Sequence, residues 1–85
     1  MTALQKLALD ALAVQDACNL CGVAQGFARA MAELTSLGFD TEARNNHPIA
    51  RVWADKIAHL TGTQSLGAPA VMDAFARVSE MARGE

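Results

Sequence analysis

From Met1 to Leu37 the chain contains no proline, carries helix formers throughout and places its apolar residues at helical spacing. In a chain of 85 residues this run dictates a helical N-terminal half, either one long rod or two helices joined by a bend. At about 100° per residue, its apolar side chains fall on two faces. Leu9, Leu12, Leu20, Val23, Phe27, Ala30, Met31 and Leu34 form a bulky face. Leu7, Ala11, Val14, Cys18, Cys21, Ala28 and Ala32 form a smaller one. A helix apolar on two sides must be covered on two sides. Gly22 and Gly26, in GVAQG, lower helix propensity and permit close backbone approach, so a bend is expected there.

Gly38 suits the position just past a helix end, and FDTEARNN reads as a polar connection. In NNHPIARVWADKIAHLTG, Asn46 or His47 can cap a helix, Pro48 fits its first turn, and Thr61-Gly62 stops it. Ile49, Val52, Trp53, Ile57 and Leu60 share one side of that second helix. The TQSLGA loop leads to Pro69 and a third helix, whose stripe of Val71, Phe75, Val78 and Ala82 opposes Asp73, Arg77, Glu80 and Arg83. Asp73 and Arg77 stand at the favourable i,i+4 spacing. No strand signal or internal repeat is present. The expected class is all-α: a single domain over 1–85, a small helical bundle in which one long N-terminal helix, straight or bent, is covered by two shorter ones. The long segment would measure about 50 Å if straight and the others roughly 20 to 25 Å, so folding at Gly22 to Gly26 into a four-helix arrangement is the alternative.

The formal net charge of −2, with seven Lys and Arg spread along the chain, offers no footprint for a phosphate backbone and disfavours nucleic acid. No apolar run reaches the roughly 18 residues of a membrane span. Asp10 and Asp16 interrupt the N-terminal stretch where a signal peptide would be uniformly apolar, so the expected location is cytoplasmic.

The candidate chemistry centres on QDACNLCG. Cys18 and Cys21 form a C-x-x-C, but a redox pair of thioredoxin type sits at a helix N-terminus, and the periodicity places this one mid-helix. As zinc ligands the two cysteines would need two more, with only His47 and His59 in view, so small buried packing residues are the leading reading. No cofactor is expected. Ser36, Ser65 and Ser79 lack a nucleophile signature, and there is no phosphate-binding loop, so the chain is not expected to be an enzyme. Gln15, Asp16, Asn19 and Arg29 are candidate binding residues: Gln15, Asn19 and Arg29 flank the small face and could line a polar pocket between subunits. On the helical wheel Asp16 lies in the middle of the bulky face, and Lys56 lies inside the apolar arc of the second helix. A lone buried charge is costly, so a buried Asp16–Lys56 ion pair between the two helices is expected.

QDACN, followed by HP and then ADKIAHLTG, resembles a set of small all-helical proteins encoded on phages and integrating mobile elements, through most of the chain. That resemblance implies a small binder that blocks or sequesters a host defence component, or an accessory factor, and it carries over no functional residue. The expected function is a non-enzymatic helical protein that self-associates through the small-residue face, a dimer by default, and binds another protein. The alternatives are an oligomer that binds or sequesters a small, nucleotide-like ligand, and a metal or thiol-redox protein using the C-x-x-C.

Overall fold

The computed structural model describes residues 1–63 and 67–84, and the backbone alone at Gln15. The TQSLGA connection, with Ser65, lies largely outside the described residues. Five α-helices make up the rest: α1 (Ala3–Ala13), α2 (Leu20–Ser36), α3 (Thr41–Asn45), α4 (Pro48–Thr61) and α5 (Ala68–Ala82). No strand occurs among the described residues, and the molecule measures 32 × 23 × 23 Å. Among the described residues no helix is long and apolar enough to cross a membrane.

The all-α class is as expected, but the long N-terminal helix does not exist. After Ala13 the chain tightens into a 3₁₀ turn at Val14–Asp16, runs extended at Ala17, and restarts as α2 behind Asn19. The break falls upstream of the glycines, and α2 continues through both Gly22 and Gly26. Its cause is local chemistry. Asp16, Cys18, Asn19, Cys21 and Gly22 are all weak helix formers. The Asn19 side-chain oxygen accepts the N–H groups of Cys21 (2.9 Å) and Gly22 (3.3 Å), an N-cap that competes with continued helix.

The break changes the packing. α1 buries Leu7, Ala8 and Ala11, joined by Val14 of the 3₁₀ turn, largely on the face expected to be the smaller one; α2 buries Val23, Ala30 and Leu34 from the bulky one. Leu9 and Leu20, both assigned to the bulky face, are each 41% exposed. The two faces of one imagined helix are therefore the single faces of two real ones, and the predicted surplus of apolar surface is largely absorbed within the chain.

α4 and α5 follow their sequence signals, whereas α3 forms inside the stretch read as a polar connection. Gly38 adopts φ 99° just past α2, where the N–H groups of Gly38 and Phe39 bond back to Thr35 and Leu34. Within the expected polar connection, Asp40 caps the short helix α3 by accepting from the Ala43 N–H at 2.8 Å. His47 caps α4 and Gly62, at φ 74°, ends it. Asp73 and Arg77 pair at 3.2 Å on the exposed side of α5. The core lies where α4 meets α2, α5 and α1, and where α1 meets α5. Leu34, Ile49, Val52 and Val78 are fully enclosed there.

Candidate functional site

The reversal at residues 17–19 brings α2 back along α1, so that Ala13 shares a cavity with Gly22 and Ala3 shares one with Ala32 and Glu33, yet the two helices touch only sparsely. Small residues wall the gap between them, Ala3 and Ala13 on α1 and Gly22 and Ala32 on α2. The result is a groove occupied by two adjoining cavities of about 280 and 390 Å³, which share Leu7, Asp10 and Arg29. Single ligand pockets begin at roughly 300 Å³.

Leu7, Ala30 and Trp53 contribute the apolar floor. Trp53 rises from α4 and lays its six-membered ring on Gly26, so closely that a Cβ there would run into Cη2 and Cζ3. This glycine is required by packing, because the indole takes the volume of the missing side chain. The Trp53 Nε1–H is buried and finds no hydrogen-bond partner among the described residues. Such an orphan typically costs about 1 to 3 kcal/mol. Around the rim stand Lys6 and Asp10 from α1, and Gln25, Arg29 and Glu33 from α2.

Among the candidate binding residues whose side chains are described, Asp16, Asn19 and Arg29, only Arg29 lines this groove. Asn19 is committed to capping α2, and the side chain of Gln15 lies outside the described residues. Asp16 is exposed, which overturns its expected burial. The wheel that buried it assumed unbroken α-helix, whereas a 3₁₀ turn advances 120° per residue and shifts the phase before residue 16 is reached. Lys56 is partly buried and engaged, but among the described residues no ion pair joins it to Asp16.

Cys18 and Cys21 are free and exposed, not buried packing residues, and they flank the start of α2 instead of lying mid-helix. Cys18 Sγ contacts the Asp16 carbonyl at 3.7 Å and Cys21 Sγ contacts Gln25 Nε2 at 4.0 Å, both long contacts. No group of three or more potential metal ligands occurs among the described residues. His59 is exposed on α4. His47 is buried: its Nδ1 accepts the Ile49 N–H at 3.2 Å, and its ring packs edge-on to Phe39 at 4.9 Å. Burial holds its pKa below the ordinary 6.5.

The groove itself escaped the sequence reading. Its signal was the same weak helix-forming cluster at Asp16 to Gly22 that reverses the chain. No family model, curated protein or solved structure matches this chain.

Proposed function

We propose that the protein is a non-enzymatic helical protein that self-associates and acts by binding another macromolecule, with the α1/α2 face as its working surface. The observation that supports this reading is the open seam between those helices. Its floor is apolar, its walls are Ala and Gly, and the side chains of Lys6, Asp10, Arg29 and Glu33 on its rim make no hydrogen bond or ion pair among the described residues. Small residues let a partner approach closely, and unpaired charges around an apolar centre match the anatomy of an interface patch. The resemblance read from the sequence directs the search toward host defence components.

Capture from cells that express the chain, read by mass spectrometry, tests this when run beside Gly22→Leu, which fills the groove at an exposed helical position. The expected result is a macromolecular partner held by the native chain and lost with the variant, at unchanged circular dichroism. Recovery of the chain alone and as a monomer, or equal capture by both, refutes the reading.

A second reading, a binder of a small, nucleotide-like ligand, is favoured by Arg29, which lines both cavities, one of them together with Trp53. Mass spectrometry of the denatured, freshly purified protein should then release a bound small molecule that Arg29→Ala no longer retains.

A further inference from the structure

We infer that the occupant of the α1/α2 face is the same face of a second copy of the chain, related by a two-fold axis lying in the interface. This deepens the proposed self-association by naming its surface, and rests on it. The argument is one of charge placement. Lys6 and Glu33 line only one of the two cavities, whereas Asp10 and Arg29 line both, so each level of the groove carries one cation and one anion, contributed by different helices. The four corners alternate in sign: positive and negative at one level, negative and positive at the next. A two-fold axis along the groove brings Lys6 onto the partner's Glu33 and Asp10 onto the partner's Arg29. An axis across the groove brings Lys6 onto the partner's Asp10 and Arg29 onto the partner's Glu33. Either operation sets every charge against its opposite, so the pattern is complementary to itself. Isologous dimers require that property.

The pairs have not been used up inside the chain. Among the described residues none of the four side chains is hydrogen-bonded or ion-paired. Within each helix, Lys6–Asp10 and Arg29–Glu33 are spaced i,i+4 with the cation first, the less favourable order for intrahelical pairing. Ala3, Ala13, Gly22 and Ala32 on the same face hold no bulk that would keep two copies apart. A standard interface takes about 800 Å² per partner, which is most of one side of a molecule measuring 32 × 23 × 23 Å.

Light scattering on the purified chain over a concentration series provides the test, with variants that do not touch the core. The native chain should dimerise, and Lys6→Glu with Arg29→Glu should weaken the dimer by roughly tenfold or more, since like charges then meet across the axis. Reversing all four, as Lys6→Glu, Asp10→Lys, Arg29→Glu and Glu33→Lys, inverts the pattern but keeps it self-complementary and leaves net charge unchanged. That variant should dimerise as the native chain does, yet form no mixed dimer with it in native mass spectrometry. A native chain that stays monomeric to its solubility limit overturns the inference. So does a dimer indifferent to the double reversal, or a fourfold variant that mixes freely with native chain. Capture of a foreign partner by a strictly monomeric chain would sink this inference while leaving the binding half of the proposed function standing.

Discussion

Helix α2 packs against two neighbours in opposite ways. Toward α4 it is closed: Val23, Ala30 and Leu34 are buried, and Gly26 receives the ring of Trp53. Toward α1 it is open, a groove walled by Gly22 and alanines and rimmed by charge. The helix starts follow the same division, with His47 buried at the head of α4 and Asn19 exposed at the head of α2. Sparse side chains close a seam only when a large residue comes in from the other side. Trp53 does that at Gly26, and none of the described side chains does it at Gly22.

The strongest challenge to this contrast is Trp53→Ala, which should cost about 3 to 5 kcal/mol in urea unfolding, the range for emptying a large aromatic site. A loss no greater than that of a surface change would mean the α2/α4 seam is not the tight one. Gly26→Ala comes next. The added Cβ collides with a ring that is only 7% exposed, so overpacking of about 1 to 3 kcal/mol should outweigh a helix-propensity gain of about 1 kcal/mol. Combining it with Trp53→Leu should recover part of the loss, and additive behaviour would show that the two residues do not share one space.

The two caps separate by pH. Because burial holds the folded-state pKa of His47 below 6.5, the unfolded chain takes up its proton more readily. The stability attached to the neutral ring is whole above about pH 6.5 and is lost as the pH falls through the folded-state value. Protonation at Nδ1 would also end its acceptance of the Ile49 N–H. His47→Asn keeps a capping acceptor and should flatten the decline in melting temperature below pH 6.5; an unchanged profile assigns that decline to other groups. Asn19→Ala, at the exposed start, should cost about 0.5 to 2 kcal/mol at neutral pH.

The smallest effect has the opposite sign. A Cβ at Gly22 meets nothing nearer than Asn19 Cγ at 3.9 Å, so Gly22→Ala should stabilise the chain by about 0.5 to 1 kcal/mol. Two glycines four residues apart on one helix would then respond in opposite directions. A destabilising Gly22→Ala would mean the groove side is as tightly filled as the Trp53 side.

Helical class, the start of α4 at His47-Pro48, its stop at Gly62, the Asp73–Arg77 pair and the apolar stripes of α4 and α5 were legible because each is set by residues within a turn or two of one another. The site was much less so: Arg29 stood out as a candidate binding residue, but Asp10 did so only as a charge interrupting the apolar stretch, and Lys6 and Glu33 looked like ordinary surface charges. QDACNLCG shows why. Its apolar residues keep helical spacing, and spacing outvoted the local preference of Asn19 for a cap, with no proline to mark the boundary. Once the chain breaks there, every angular assignment that crosses residues 14–19 loses its phase, which is how Asp16 came to be placed in a core it does not enter and Cys18 and Cys21 mid-helix. The sequence by itself determined that the chain is helical and, in α4 and α5, where helix forms and which sides it buries, because periodicity and caps act over a few residues; it marked neither α3 nor the break at residues 14–19. Only the tertiary structure decided that α1 folds back on α2, that Trp53 fills the space at Gly26 and that no described side chain fills it at Gly22. Those outcomes depend on side chains far apart in the chain competing for the same volume.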